Sequence, residues 1–135
     1  MSAAGTRLIV NADDFGLSPA INRGVVAAHR DGIVTAASLM ANGPAFEDAV
    51  ALAGENPTLD LGVHLTLTGL RPVASPTTVS SLIDGDGRFA PHALDFARRY
   101  VRGSIRLDEV RTELDAQIRL ARSRGLAVSH LDSHQ

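Results

Sequence analysis

The chain has 135 residues, of which 44% are hydrophobic and 21% are charged, a balance typical of one globular domain rather than of a disordered segment. It contains no cysteine, which excludes disulfides, thiolate metal sites and cysteine nucleophiles. A formal net charge of −2 and an aromatic content of 4% argue against a nucleic-acid partner. No apolar run is long enough for a membrane span, and the start lacks a signal-peptide pattern, so we expect no membrane span and a cytoplasmic location.

Hydrophobic periodicity and turn residues divide the chain into alternating strands and helices. The predicted elements are, in chain order, a strand at 7–11, a helix from the N-cap Ser18 to the stop at Gly32, a strand at 33–40, a helix at 45–53, a strand at 59–68, a loop at 69–91, helices at 92–102 and 107–124, and a strand at 126–132. In the third strand, alternation places His64 on the face opposite the leucines. In the last helix, the spacing of five apolar residues predicts a core stripe: Leu107, Val110, Leu114, Ile118 and Ala121.

This order predicts an α/β fold with a parallel sheet and right-handed crossovers. The last strand has no helix after it to cover its face of the sheet. We therefore expect residues 1–135 to form a single domain that is incomplete at its C-terminus.

Polar side chains lie at or near the predicted carboxyl ends of three strands, where sites form in parallel α/β proteins. Asp13 and Asp14 follow the first strand, His64 lies in the third, and a run from His130 to His134 spans the end of the last. Two adjacent carboxylates repel each other. A divalent cation would offset that repulsion. One acid could then bind the cation while the other accepts a proton from water.

Each of these residues also has a plain structural interpretation. The two aspartates can be loop acids or helix caps, His64 can be a buried, hydrogen-bonded histidine, and the last histidines can be local caps. Together, two imidazoles and a carboxylate make a plausible three-ligand metal site with open positions. Ser38 and Ser133 lack the nucleophile-elbow pattern, which argues against a serine hydrolase.

Five stretches, in this order, resemble the YdjC-like carbohydrate deacetylases, a family that includes chitooligosaccharide deacetylases and proteins associated with hopanoid biosynthesis. They are LIVNADDFGLS at 8–18, GIVTAASLM at 32–40, LGVHLTLT at 61–68, SLIDGDGRF at 81–89 and SHLDSHQ at 129–135. The combination covers nearly the whole chain and is far more specific than any single stretch.

The resemblance implies a TIM-barrel-like fold, truncated here to about half a barrel, and hydrolysis of N-acetyl groups from amino sugars. It implies that Asp13 is the catalytic base and that Asp14, His64 and His134 bind a divalent metal cation. His130 and Asp132 would support these ligands from beside the metal. The resemblance suggests Mg²⁺, whereas two imidazoles suit Zn²⁺ better.

The family continues past Gln135, so we expect the general acid to lie outside this chain and the chain alone to be inactive. The expected partner is an acetylated amino sugar of unspecified identity. Two other hypotheses stay open: a non-catalytic binding or assembly module that forms a homodimer, and another metal hydrolase, such as a phosphoesterase, on a similar barrel.

Overall fold

The computed structural model describes residues 6–134, and their elements follow the predicted order. They are β1 (Asn11–Phe15), α1 (Pro19–Arg30), β2 (Ala36–Leu39), α2 (Phe46–Gly54), β3 (Asp60–Leu65), a short 3-10 turn (Pro76–Thr78), α3 (Ala93–Val101), α4 (Leu107–Ser123) and β4 (Val128–Ser133). Among the helices of this part of the chain, none is both long enough and apolar enough to cross a membrane.

The four strands form one sheet in the spatial order β1-β2-β3-β4, and every neighbouring pair is parallel. Each connection therefore moves the chain one strand further in the same direction. A doubly wound sheet would instead reverse its direction at a switch point. The sequential order is that of a TIM barrel, so the predicted α/β fold is confirmed as a parallel sheet that corresponds to part of such a barrel.

Three helices, α1, α2 and α4, cover one face of this sheet. The strand residues Phe15, Leu39 and Val63 are almost completely buried, and they share one core with side chains of α1, α2 and α4. Leu61 belongs to the same core, whereas His64 hydrogen-bonds to a residue on the opposite face. The predicted alternation of β3 is therefore confirmed.

A β-bulge changes the phase of β4 before the strand reaches its carboxyl end. Leu61 pairs with Val128, but the next residue of β3, Gly62, pairs with His130, so β4 contains one extra residue there. Val128 packs against the helix-covered core. Because side chains alternate along a strand, the extra residue turns His130, and with it Asp132, toward the uncovered face.

The first strand begins later than predicted. Leu8 and Ile9, which belong to the predicted buried strand at 7–11, are each 76% exposed and lie outside β1. Strand pairing begins where Asn11 lies opposite Ala36 and continues past the two aspartates, which the apolar pattern places in a loop. The physical reason is the register with β2, which begins at Ala36 opposite Asn11, so that Leu8 and Ile9 have no paired residue in β2.

The buried side of α4 is polar, so the predicted apolar stripe is wrong in detail. Of its five residues only Ala121 is buried, and Leu107 is 63% exposed. The buried positions that precede Ala121 at intervals of four are Glu109, Glu113 and Gln117.

Two of these buried polar side chains hold the chain that follows β3. The Glu113 carboxylate accepts backbone N–H bonds from Val73 and Ala74, both at 2.9 Å. The Gln117 amide accepts from the Thr66 N–H at 2.9 Å and donates to the Thr66 carbonyl at 2.7 Å. Buried backbone groups need hydrogen-bond partners. Polar side chains of α4 supply these partners to the backbone of the loop that follows β3.

We expect Glu113→Gln to lower the free energy of unfolding by about 2 kcal/mol, because an amide nitrogen replaces one acceptor and leaves a buried N–H unsatisfied. Urea unfolding followed by circular dichroism measures this. Asp115→Asn, on the exposed side of the same helix, is the matched control and should cost less than about 0.5 kcal/mol. Equal stabilities of the two variants would show that the Glu113 contacts do not hold the loop.

Candidate metal centre

A second bulge, in β1, places two consecutive carboxylates on the same side of the sheet. Between regular pairs of β1 and β2, Asp13 and Asp14 lie together opposite the single residue Ser38. A regular strand would send the two side chains to opposite faces. Asp14 has a φ of 61°, in the left-handed region that Asp and Asn tolerate better than most residues with a side chain. The bulge thereby brings both acids within reach of His64.

The two histidines come from neighbouring strands. His64 is buried near the carboxyl end of β3, and only 4% of its surface is exposed. His134 directly follows β4, and its backbone N–H donates to the Leu65 carbonyl at 3.0 Å. This bond extends the pairing of β3 with β4 by one residue, so that the two rings meet edge to face with their centroids 5.2 Å apart.

Three atoms of the kind that bind metals meet at the carboxyl ends of β1, β3 and β4. Asp14 Oδ1 lies 3.4 Å from His64 Nε2 and 3.1 Å from His134 Nδ1, and the two ring nitrogens are 3.3 Å apart. Donor atoms bound to one cation at about 2.1 Å lie roughly 3.0 Å apart at octahedral angles and roughly 3.4 Å apart at tetrahedral angles. All three separations fall in this range.

The Asp14 oxygen at the centre of this group has no hydrogen-bond donor. Asp14 Oδ1 is shielded from solvent and accepts no hydrogen bond among the described residues, because the two imidazole contacts are not directed as hydrogen bonds. Leaving a buried acceptor unsatisfied costs about 1–3 kcal/mol, and more for a charged group. A divalent cation supplies the missing partner, so the residues present fit a bound metal ion.

The orientation of His64 points to the same conclusion. His64 Nδ1 lies 2.7 Å from Asp132 Oδ1. Because a carboxylate can only accept, the Nδ1–H of His64 donates, and the Nε2 of a neutral ring presents its lone pair to Asp14 and His134. Metal-binding histidines usually donate one ring N–H to a carboxylate or carbonyl and bind the metal through the other nitrogen.

Asp132 is held as an anion by its neighbours. Burial raises the pKa of Asp132, but the hydrogen bonds from Ser38 and His64, together with the charge interactions with His64 and His130, lower it, so that the pKa lies below its usual value. The carboxylate therefore accepts from both donors at neutral pH. This keeps the His64 proton on Nδ1 and the lone pair on Nε2.

A second group of potential ligand atoms overlaps the first. Atoms of Asp13, His64 and Asp132 also lie within 4.8 Å of one another. In this group the polar atoms already have partners, because Asp13 Oδ1 accepts from Asn11 at 2.8 Å and the other two residues bond to each other. The group that contains Asp14 is the better candidate, since it includes the oxygen without a donor.

His130 does not join the other predicted site residues. Its ring lies over Gly62, where a Cβ atom would be only 2.3 Å from the imidazole, and its Nδ1 is hydrogen-bonded to Ser129 at 2.8 Å. Of the two histidines in the last motif, the structure therefore brings His134 to Asp14 and His64. Their roles as ligands, and that of Asp13 as base, stay predictions.

The family model of the YdjC-like proteins matches residues 7–135 of this chain. The chain belongs to this family. One similar protein is a carbohydrate deacetylase of Brevibacillus brevis, 47% identical over 133 residues, which represent 95% of this chain and 48% of that protein. Another is a carbohydrate deacetylase of Thermoanaerobacter pseudethanolicus, 40% identical over 130 residues, with coverage of 94% and 49%.

This YdjC-like chain thus spans about half the length of the curated relatives it matches. A solved structure shows the same proportion. The crystal structure of an Enterococcus faecalis protein, named as a candidate cellobiose-phosphate cleavage protein, is 38% identical with a TM-score of 0.83. It covers 93% of this chain, and this chain covers 47% of it.

Two residues beside the site of the YdjC-like chain were not predicted from the sequence. The sequence pattern argues only against Ser38 as a nucleophile, whereas the structure shows its hydroxyl donating to Asp132. Asn11 ends the predicted buried strand, and in the structure its amide donates to both Asp13 and Ser38. The available signal was a hydroxyl in the middle of an otherwise apolar strand, which needs a buried partner.

We expect Asp14→Asn to raise the free energy of unfolding of the metal-free protein by about 1 kcal/mol, because the amide supplies a donor where a buried oxygen has none. Asn also tolerates the left-handed backbone of this position, so the bulge should persist. Thermal unfolding in the presence of a chelator measures the change.

Asp13→Asn serves as the control, because Asp13 is exposed and already accepts a hydrogen bond, and we expect no gain in stability from it. A metal-free Asp14→Asn protein that is less stable than the wild type would contradict the role given to the unsatisfied oxygen.

Proposed function

We propose that this YdjC-like chain carries the metal-binding residues and the catalytic base of a carbohydrate deacetylase, which hydrolyses the N-acetyl group of an amino sugar. The observation that carries the proposal is the meeting of Asp14, His64 and His134 around one point, with Asp13 beside it. The names of the relatives support the carbohydrate substrate and the deacetylation.

Asp14, through Oδ1, and the two imidazoles, through His64 Nε2 and His134 Nδ1, would hold a divalent cation. Two nitrogen ligands favour Zn²⁺, while a carboxylate and open positions for water also suit Mg²⁺. A cation in this position supplies Lewis-acid chemistry, since it lowers the pKa of a water molecule and polarises an acetyl carbonyl. The remaining steps fall to side chains of the protein.

Asp13 would take up the proton of the attacking water. It is exposed at the uncovered face, and its hydrogen bond from Asn11 uses Oδ1, which leaves Oδ2 for a proton. As the water oxygen bonds to the acetyl carbon, one proton passes to Asp13. The carbon–nitrogen bond then breaks, the amine nitrogen receives a proton, and the products are acetate and the free amino sugar.

The 135-residue chain offers no evident acid for the amine within its described residues. On the uncovered face, Asp13 is exposed and the Asp132 side chain is 34% exposed, so residues 6–134 leave both carboxylates open to solvent. We therefore infer that a complete YdjC-like domain is needed to enclose the sugar and protonate the amine, and that this chain alone has little or no activity. Magnesium as the ion and a hopanoid-linked sugar as substrate remain proposals drawn from the family resemblance.

One observation supports a second candidate. The structurally similar Enterococcus faecalis protein is named for cleavage of cellobiose phosphate, which would make a phosphorylated disaccharide a substrate of the same site. A phosphoesterase would also use a divalent cation and a base. The non-catalytic alternative, a homodimer that covers the open sheet, needs no metal.

We expect the chain to bind one Co²⁺ or Zn²⁺ per molecule, as measured by isothermal titration calorimetry and by the visible spectrum of the Co²⁺ form. His64→Gln and His134→Gln should each weaken binding by more than the roughly 10- to 100-fold that the loss of a supporting hydrogen bond costs. Asp13→Asn should bind the metal nearly as well as the wild type.

His130→Gln is the matched control, because His130 belongs to the same motif as His134 but points away from the three ligand atoms. Equal loss of binding in the His130 and His134 variants would refute the proposed ligand set.

In a full-length YdjC-like domain that contains this chain, we expect Asp13→Asn to lower kcat for an acetylated chito-oligosaccharide by roughly 10²- to 10⁴-fold while the metal content stays at one ion. Acetate release measures the rate. Release of phosphate from a phosphorylated disaccharide, with no release of acetate from the chito-oligosaccharide, would favour the phosphoesterase instead.

A further inference from the structure

Five side chains form a continuous hydrogen-bonded series across the uncovered face of the sheet. Asn11 donates to Asp13 Oδ1 at 2.8 Å and to the Ser38 hydroxyl at 2.7 Å. Ser38 donates in turn to Asp132 Oδ2, and Asp132 Oδ1 accepts from His64 Nδ1 at 2.7 Å. The series therefore runs from the proposed base at one end to a proposed metal ligand at the other.

The donors and acceptors of this series can be assigned in one way only. Both hydrogens of the Asn11 amide nitrogen are used, and the flipped amide would place its oxygen against the Asp13 carboxylate, acceptor against acceptor. The single hydroxyl proton of Ser38 is directed to Asp132, because its oxygen already accepts from Asn11. Asp132 thus accepts through both of its oxygens and Asp13 through Oδ1, and no member of the series can exchange its role without breaking a bond.

The series also joins all four strands. Asn11 belongs to β1, Ser38 to β2, His64 to β3 and Asp132 to β4. Ser38 lies at the centre and is completely buried, so water does not compete for its hydrogen bonds. A displacement of any one strand would therefore alter the alignment of the others, which is how a buried polar network specifies a single arrangement.

We propose that Asn11 and Ser38 are positioning residues that set the relative placement of the base Asp13 and the metal ligand His64. This inference rests on the proposed function, because it assigns those two roles. Ser38 acts through Asp132, which keeps the His64 proton on Nδ1 and frees Nε2. Asn11 occupies one oxygen of Asp13 and thereby directs the other toward the site.

Asn11 and Ser38 also supply donors to the two carboxylates. Replacing them by apolar side chains would leave Asp13 Oδ1 without its bond from Asn11 and Asp132 Oδ2 without its bond from Ser38, and an unsatisfied acceptor costs free energy. Stability therefore does not separate the positioning role from a structural one, whereas the His64 tautomer and the metal affinity do.

The test uses the 135-residue chain and two measurements on Ser38→Ala and on Ser38→Cys, which keeps the volume of the buried site. In the metal-free protein, ¹⁵N NMR of the histidine rings should show His64 with its proton on Nδ1 in the wild type and a mixture of the two tautomers in both variants. The affinity for Co²⁺ should fall by roughly 10- to 100-fold.

Asn11→Leu should weaken Co²⁺ binding less than Ser38→Ala. The double variant should bind about as well as Ser38→Ala alone, because the series is already interrupted. Ser123→Ala, at the exposed end of α4, is the serine control and should change neither measurement. Thermal unfolding verifies that every variant is folded.

The outcomes separate this inference from the proposed function. If Ser38→Ala and Ser38→Cys leave the tautomer and the affinity unchanged while His64→Gln abolishes binding, the positioning role is overturned and the metal site stands. If His64→Gln binds Co²⁺ as well as the wild type, the proposed function fails, and the metal-free tautomer alone decides whether Ser38 orients His64.

Discussion

A buried carboxylate oxygen without a donor is the constraint on which the site depends. Asp14 Oδ1 lies 3.4 Å from His64 Nε2 and 3.1 Å from His134 Nδ1, and it accepts no hydrogen bond among the described residues. The chain reaches this arrangement through a bulge and a left-handed backbone at Asp14, features that cost free energy and persist at functional sites because the surrounding structure holds them. A bound cation would give this oxygen the partner that it lacks and would be shared with the two ring nitrogens.

The fold supplies the rest of the geometry. Sequential parallel strands place their carboxyl ends along one rim, so that Asp14 of β1, His64 of β3 and His134 after β4 bring their candidate ligand atoms together. The bulge in β4 turns Asp132 to the same face as His64, and the Gln117 amide of α4 fixes the backbone two residues after His64. The helix-covered face carries the apolar core, which leaves the opposite face free for polar side chains.

Periodicity was sufficient to predict the order of the elements, the parallel sheet and the face on which His64 lies. The position of polar residues at strand ends, together with the family motifs, indicated the residues that the structure brings together. The bulges could not be predicted, because they depend on how two distant strands pair and not on either strand alone. The polar side of α4 and the bonds of Ser38 were missed for the same reason: each partner lies far away in the chain, and only the register of the folded sheet reveals it.

The coordination shell of the bound ion, measured by X-ray absorption at the metal edge on the Zn²⁺ or Co²⁺ form of the chain, tests the proposed ligand set directly. We expect two imidazole nitrogens and one carboxylate oxygen at about 2.0–2.2 Å, with the remaining positions filled by water. We also expect His64→Gln and His134→Gln each to remove an imidazole from the shell. A shell with no imidazole, or one that is unchanged in these variants, would contradict the claim that Asp14, His64 and His134 bind one ion.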